Sequence, residues 1–157
     1  MADIYKVAVV GCGRISGHHC RSIASVKGME IIAVCDLIEE KAKGYGEEFK
    51  IPYFTNYHEM FKTIPKIDIV VVATPSGMHF EHGMEFITEY NKHLIIEKPT
   101  FMRLDQLEDA YNEASNRGLH IFPVFQNRYN KAVRCVRQAV EQRDHGARLA
   151  VQCQKQL

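Results

Sequence analysis

The stretch VAVVGCGRIS at residues 7–16 decides the fold. Its first four residues, 7–10, form a continuous apolar run that is typical of a buried strand, and apolar positions then recur at helical spacing over residues 15–26. Between these two patterns Gly11 permits a tight turn, and Gly13 allows close approach to the main chain. The stretch therefore predicts a strand, a glycine-rich turn and a helix in direct succession.

Outward from this unit, strand and helix patterns alternate along the chain. Continuous apolar strands, each followed by a helix, indicate a parallel sheet that is covered on both faces. We therefore predict an α/β fold, specifically a Rossmann-type doubly wound parallel sheet. The predicted strands cover residues 7–10, 31–34, 52–55, 69–73, 94–96 and 120–125. The predicted helices cover residues 15–26, 39–49, 57–64 and 80–90, the segment from 104 to Gly118, and the segment from 133 to about 145.

The end of the chain follows a different pattern. Apolar and polar residues alternate from Leu149 to Gln154, which is typical of a half-exposed strand. We expect one domain over residues 1–146. Residues 147–157 are then expected to start a different kind of sheet, which is truncated just past this boundary.

Two features predict a dinucleotide site. The glycine turn opens a helix, whose free N–H groups and positive dipole end favour a pyrophosphate beside Gly11, Gly13, Arg14 and Ile15. Asp36 follows the second strand, 20 residues after Ser16, where its carboxylate is placed to accept both ribose hydroxyls.

The same carboxylate would repel a 2′-phosphate, and no arginine follows it, so NAD is favoured over NADP. Ser16 replaces the usual third glycine or alanine with another small residue. The alternative is that Asp36 only caps a helix.

Polar residues also follow the fourth and fifth strands. Thr74, Pro75 and Ser76 end the fourth strand on the edge where ligands bind in open α/β sheets, and they are predicted to border the dinucleotide; a plain turn with Ser76 as helix cap is the alternative. His79, at the next helix start, is either a structural hydrogen-bonding residue or a catalytic one.

Glu97 and Lys98 end the fifth strand on the same edge. Lys98 is either a solvated surface charge or, among apolar strand ends, an amine that exchanges a proton with a substrate hydroxyl. Glu97 is predicted to orient its neighbours.

Composition limits the functional classes. The 157 residues are 46% hydrophobic and 25% charged, with a formal net charge of +1, so nothing favours nucleic acid or a membrane surface as a partner. No apolar run approaches the roughly 20 residues that span a bilayer. Five cysteines without a Cys-x-x-Cys pair, and a start that leads directly into the first strand, predict a cytoplasmic protein with free thiols and no metal site.

Four segments together resemble the glucose-fructose oxidoreductase/inositol dehydrogenase/rhizopine catabolism (Gfo/Idh/MocA) family: VGCGRI at 10–15, AVCD at 33–36, ATPSGMH at 73–79 and EKP at 97–99. The resemblance covers essentially the whole chain. It implies an NAD-dependent dehydrogenase acting on CH–OH groups, with Lys98 as the catalytic lysine, His79 as a second candidate, and a cis bond before Pro99. It also implies that residues 1–146 are the nucleotide-binding domain and that residues 147–157 are the first strand of a truncated C-terminal α/β domain. That second domain binds substrate, supplies an Asp and a His, and forms the interface of a homo-oligomer.

Residues 125–130, FQNRYN, are similar to the branch of that family that oxidises the 3-hydroxyl of UDP-N-acetylglucosaminuronate. This similarity places Asn127 at the cofactor site, whereas the alternative is a loop that caps the next helix. The substrate is accordingly expected to be a small sugar, sugar nucleotide or cyclitol. A non-catalytic NAD-binding regulator or sensor is the competing hypothesis, and Lys98 favours the enzyme because a sensor needs no amine there.

Overall fold

A computed structural model describes residues 4–141, which contain six strands in one parallel sheet. The strand order is β3-β2-β1-β4-β5-β6. The strands are β1 (Tyr5–Val10), β2 (Met29–Cys35), β3 (Tyr53–Phe54), β4 (Ile69–Val72), β5 (His93–Ile96) and β6 (Ile121–Pro123). The helices are α1 (Ser16–Ser25), α2 (Glu39–Phe49), α3 (Tyr57–Thr63), α4 (His79–Thr88), α5 (Leu104–Asn116) and α6 (Lys131–Glu141). The predicted Rossmann-type doubly wound sheet is confirmed.

The central strands are buried on both faces, which explains their uninterrupted apolar sequences. Along β1, Val7 and Val9 pack into a core with α1 and α2, whereas Ala8 and Val10 pack into the opposite core with α3, α4 and α5. The three valines of β4 are fully buried. Side chains of successive strand residues point to opposite faces, so a strand covered on both sides has no position for a polar residue.

Functional loops meet where the strand order reverses, between β1 and β4. Both strands run parallel and pair from Val7 with Ile69 to Val10 with Val72, so the loops that follow them emerge side by side at one edge. In open α/β sheets such a crevice outside the carboxyl ends of the strands is the usual ligand site.

The sixth strand differs in detail from its predicted bounds. It covers Ile121–Pro123 rather than 120–125, and a 3-10 helix follows at Gln126–Tyr129. In α5, Ala110 and Ala114 are buried, whereas Leu104 at the start of the helix is 69% exposed.

The chain divides into two compact units, Met1–Val124 and Phe125–Leu157. The second unit contains α6, whose described side chains include none that are buried. The expected domain boundary near residue 146 and the strand at 147–157 lie outside the described residues. Within residues 4–141, every helix is too short or too polar to cross a membrane.

Candidate cofactor and catalytic site

The turn after β1 contains two glycines with different surroundings. Gly11 has a φ of +95°, its N–H donates to the Cys35 carbonyl at 2.8 Å, and a Cβ there would lie 2.5 Å from the carbonyl carbon of Ala73. A Cβ on Gly13 would meet no atom within 4 Å. Gly11 therefore allows the turn after β1 to pack closely against the main chain that follows β4. Gly13 leaves an open surface against which a diphosphate fits.

Two side chains donate hydrogen bonds to carbonyl groups of this turn. Ser16 is fully buried, and its hydroxyl donates to the Gly11 carbonyl at 2.5 Å, so the serine at the third glycine position ties the turn together. The Tyr45 hydroxyl, from α2, donates to the Gly13 carbonyl at 2.9 Å. Both bonds use carbonyl groups, so they stabilise the loop without consuming its N–H donors.

Helix α1 begins directly after this turn. Among the described residues, no side chain caps its N-terminus at Ile15. The N–H groups of Ser16 and His18 bond to the main-chain carbonyls of Gly13 and Ile15, so it is chiefly the positive end of the helix dipole that favours an anion here. Arg14 and Ile15 are exposed at the same place.

Asp36 lies directly after β2 and is tied to the glycine turn. Its Oδ2 accepts the Cys12 N–H at 2.7 Å, and its Oδ1 accepts the Ile38 N–H at 2.9 Å. A carboxylate has about four acceptor positions, so two remain for ligand hydroxyls. The alternative of a cap on α2 is not what the structure shows, since Ile38 occupies that N-cap without a side-chain cap bond.

Around these residues lies a cleft of about 460 Å³. Gly11, Gly13, Asp36, Thr74 and Pro75, all predicted from the sequence, line it. Its walls are largely apolar, which suits an adenine ring.

Sequence reasoning missed several residues that also line the cleft. Leu37 and Ile38 are 82% and 49% exposed beside Asp36. Lys41 adds a positive charge to the same cleft, and Tyr57 and His82 reach it from α3 and α4. No local pattern marks Tyr57 or His82, because only the packing of α3 and α4 on the sheet brings them here.

His82 joins the cleft to the loop after β4. Its Nδ1 lies 3.1 Å from the Thr74 hydroxyl oxygen, and its ring stacks on Phe86. Burial lowers the pKa of His82 below its usual value, which favours the neutral imidazole. A neutral ring fits an apolar wall better than a cation would.

The end of β5 brings two ionisable residues to the same edge of the sheet. Glu97 is buried, its N–H donates to the Val72 carbonyl at 3.0 Å, and its Oε1 lies 2.8 Å from His19 Nε2. Lys98 is exposed in the described chain, so the apolar shielding expected from the sequence does not come from these residues. The Lys98–Pro99 peptide bond is cis, as the resemblance implied.

His79 occupies a different position from the one that a catalytic role requires. It is 1% exposed, its Nδ1 lies 2.8 Å from the Pro99 carbonyl oxygen, and its Nε2 lies 2.8 Å from the Thr74 carbonyl oxygen. Both ring nitrogens are thus occupied by the main chain. Of the two roles that the sequence left open for His79, these contacts favour the structural one, in which its ring joins the loops after β4 and β5.

The remaining predicted residues lie outside the cleft lining. Ser76 is half-buried at the start of a 3-10 helix, Ser76–Met78. Asn127 belongs to the second compact unit, in the 3-10 helix Gln126–Tyr129. Within residues 4–141, no group of three or more His, Cys, Asp or Glu side chains is arranged to hold a metal ion.

Comparisons with known proteins agree with this geometry. The sequence profile of the Gfo/Idh/MocA family, described as an oxidoreductase family with an NAD-binding Rossmann fold, matches residues 5–125. A solved structure of the WlbA dehydrogenase from Bordetella pertussis, in complex with NADH and UDP-GlcNAcA, superposes with a TM-score of 0.81 at 29% identity. That alignment covers 88% of this chain and 42% of the other.

Two relatives from Bacillus subtilis strain 168 are more distant. An uncharacterised oxidoreductase, YrbE, is 25% identical over 138 residues, 88% of this chain and 40% of its own length. Glucose-6-phosphate 3-dehydrogenase is 23% identical over 146 residues, 93% of this chain and 41% of its own length. The chain thus spans about two fifths of the length of these proteins.

Proposed function

The chain belongs to the Gfo/Idh/MocA family of oxidoreductases with an NAD-binding Rossmann fold, and from this premise we propose that it is the NAD-binding part of a sugar dehydrogenase. The reaction is hydride transfer between NAD and a secondary alcohol of a sugar, sugar nucleotide or cyclitol. One observation carries the proposal: the carboxylate of Asp36 is hydrogen-bonded to the glycine turn at Cys12, so the groups suited to ribose and diphosphate border one cleft.

The described residues fit NAD piece by piece. The open surface at Gly13 and the uncapped start of α1 suit the diphosphate, and the free acceptor positions of Asp36 suit the adenosine ribose. Leu37 and Ile38 supply apolar surface for the adenine. Since the carboxylate of Asp36 repels a 2′-phosphate, we propose a preference for NAD over NADP.

Calorimetric titration of the chain with NAD and with NADP tests this preference. Asp36→Asn keeps the size of the side chain but removes its charge. It should therefore weaken NAD binding by roughly tenfold and reduce the difference between the affinities for NAD and NADP. Lys41→Ala is the matched control, because it should weaken NADP binding more than NAD binding. Tighter binding of NADP than of NAD by the unmodified chain would contradict the assignment of Asp36.

Lys98 is our candidate for proton transfer. Bound NAD would supply the hydride acceptor for the alcohol carbon. Lys98, which follows β5 at the carboxyl ends of the strands and is exposed, would take the proton that leaves the hydroxyl group. His79 holds the carbonyl of the next residue and therefore positions this loop.

For the substrate, we propose a UDP-N-acetylhexosaminuronate that is oxidised at its 3-hydroxyl. The similarity to WlbA, whose complex contains UDP-GlcNAcA, and the segment at residues 125–130 support this choice. Asn127, in that segment, is proposed to contact the bound cofactor.

The 157 residues alone are expected to be inactive, so the reaction is tested in the full-length protein with UDP-sugars, sugar phosphates and polyols, followed by NADH absorbance. Lys98→Ala should reduce turnover by about 10²-fold and leave NAD affinity nearly unchanged, whereas Lys98→Arg keeps the charge and serves as control. NAD binding without NADH formation from any substrate would favour a sensor. Unchanged turnover in Lys98→Ala would remove Lys98 from the mechanism.

A further inference from the structure

We propose that His19 and Glu97 form a positioning pair that couples the helix at the cofactor diphosphate to the loop that carries Lys98. The inference rests on the proposed function, because it assigns a purpose to two residues that neither line the cleft nor touch a substrate. His19 lies in α1, and Glu97 follows β5, 78 positions later in the sequence. Their contact joins the two halves of the site directly.

Glu97 needs partners because it is a buried carboxylate. Its side chain is 9% exposed, and an unpaired charge at such a position is costly. Two donors satisfy it: His19 Nε2 lies 2.8 Å from Oε1, and the Lys98 N–H donates to Oε2 at 3.2 Å. Each oxygen thus has its own donor, and the carboxylate bridges the histidine ring to the Lys98 backbone.

His19 is held in place by the helix that begins at the glycine turn. Its side chain is 14% exposed, and Cys20 and Ile23 of the same helix are buried in the core. A shift of α1 when a diphosphate binds at its N-terminus would therefore move the His19 ring. Since that ring donates to Glu97, the shift would reach the Lys98 peptide through one shared carboxylate.

The Lys98 backbone is held from both sides. On its N-terminal side, Glu97 accepts the Lys98 N–H. On its C-terminal side, the carbonyl of Pro99 faces the His79 ring, whose other nitrogen faces Thr74. The catalytic candidate thus lies between two histidines from two helices, and only the His19 side leads back to the diphosphate site.

Two substitutions distinguish the loss of the His19 hydrogen-bond donor from the loss of side-chain volume. In His19→Gln the amide nitrogen reaches about as far as Nε2, so it can still donate to Glu97. In His19→Asn the same amide is too short to reach it. Both replacements are polar and smaller than histidine, and neither touches the cleft lining.

The measurement is amide hydrogen exchange in the full chain by NMR, without and with saturating NAD. We expect His19→Asn to speed exchange of the Lys98 amide by about tenfold or more, because its acceptor Glu97 is no longer fixed, and His19→Gln to stay within about threefold of the unmodified chain. Amides of the central strands β1 and β4 should be unchanged in both variants. NAD should slow the Lys98 amide in the unmodified chain and in His19→Gln, but much less in His19→Asn.

The outcomes distinguish this inference from the function on which it rests. Failure of the unmodified chain to bind NAD would overturn the proposed function, while the exchange comparison without NAD would still test the pair. Normal NAD binding with an unchanged Lys98 amide in His19→Asn would overturn the positioning pair. Equally faster exchange of the Lys98 amide in both variants would also overturn it. The effect would then not depend on whether the side chain at position 19 can reach Glu97.

Discussion

At the scale of single residues, Gly11 and Gly13 belong to one turn but have different requirements. Gly11 adopts a φ that side chains rarely tolerate, and main-chain atoms of the β4 end occupy the space of its missing Cβ. Gly13 borders open space. The sequence assigned the first glycine to the turn and the second to a ligand, and the geometry gives each assignment a physical reason.

This difference predicts opposite outcomes for two alanine substitutions. Gly11→Ala should lower the free energy of unfolding by about 2–5 kcal/mol, from backbone strain and from overlap with rigid main-chain atoms. Gly13→Ala should change it by less than about 0.5 kcal/mol, yet weaken NAD binding by roughly tenfold because its methyl group occupies the diphosphate surface. Urea unfolding and calorimetric titration measure the two effects. Similar loss of stability in both variants would contradict this division.

His19 shows what a sequence pattern leaves out. Its spacing from Ile15 and Ile23 placed it on the apolar face of α1, and a residue on such a face is ordinarily part of the core. In the structure its side chain is 14% exposed and contacts a carboxylate, which the helical spacing alone does not indicate. Its partner Glu97 lies 78 positions away, and only the folded sheet brings them together.

At the scale of elements, helix ends were well marked in the sequence. Asn91, which follows the predicted helix 80–90, and Gly118, the predicted end of the next helix, both have positive φ values, 58° and 67°. The start of α1 lacks a capping side chain, whereas Asn56 caps α3 by accepting the N–H groups of His58 at 2.8 Å and Glu59 at 3.4 Å. The Asn56 cap stabilises α3, whereas α1 has no such side chain at the end that follows the glycine turn.

Removal of the α3 cap should therefore cost stability. Asn56→Ala leaves two N–H groups without their acceptor and should lower the free energy of unfolding by about 1 kcal/mol, whereas Asn56→Asp retains an acceptor and should stay near the original value. Thermal or urea unfolding of both variants provides the measurement. Because Tyr57 of α3 lines the cleft, a modest loss of NAD affinity should accompany the alanine change. Equal stability of the two variants would show that the cap is not stabilising.

At the scale of the whole molecule, the sequence predicted the sheet better than the site. Apolar runs on β1 and β4 required burial on both faces, and the structure confirms it. By contrast, Lys41 and His82 enter the cleft through the way that helices pack on the sheet, which periodicity alone does not specify. Apolar patterns along the chain thus predict which strands are covered on both faces. Which residues line a cleft depends instead on contacts between elements that are distant in sequence.

Cysteines are buried on both faces of the sheet, and their burial changes how the stability of the fold depends on pH. Burial raises the pKa of Cys12 and Cys35 to about 12 and that of Cys20 to about 11, from an ordinary value of 9.0. The nearby Asp36 carboxylate contributes to the shift for Cys12 and Cys35. These thiols are therefore neutral in the folded protein at pH values where they would ionise in the unfolded chain.

The expected consequence is a loss of stability in alkaline solution. Above about pH 9 the unfolded chain releases three protons that the folded chain retains, so the free energy of unfolding falls as pH rises. At about 1.3 kcal/mol for each thiol, the decrease between pH 8 and 10 should be about 4 kcal/mol. Lys92, whose pKa is lowered by burial, acts in the opposite direction, whereas Tyr57, whose pKa is raised to about 12, adds to the loss near pH 10.

Urea unfolding in the presence of a reductant, at intervals from pH 7 to 10, measures this decrease. A variant with Cys12, Cys20 and Cys35 all changed to alanine is the control, and its stability should vary much less with pH over the alkaline range even if its value at pH 7 is lower. Equal alkaline slopes in the two proteins would show that other groups cause the loss. A flat profile in both would show that the thiols ionise at the same pH in the folded and unfolded chains.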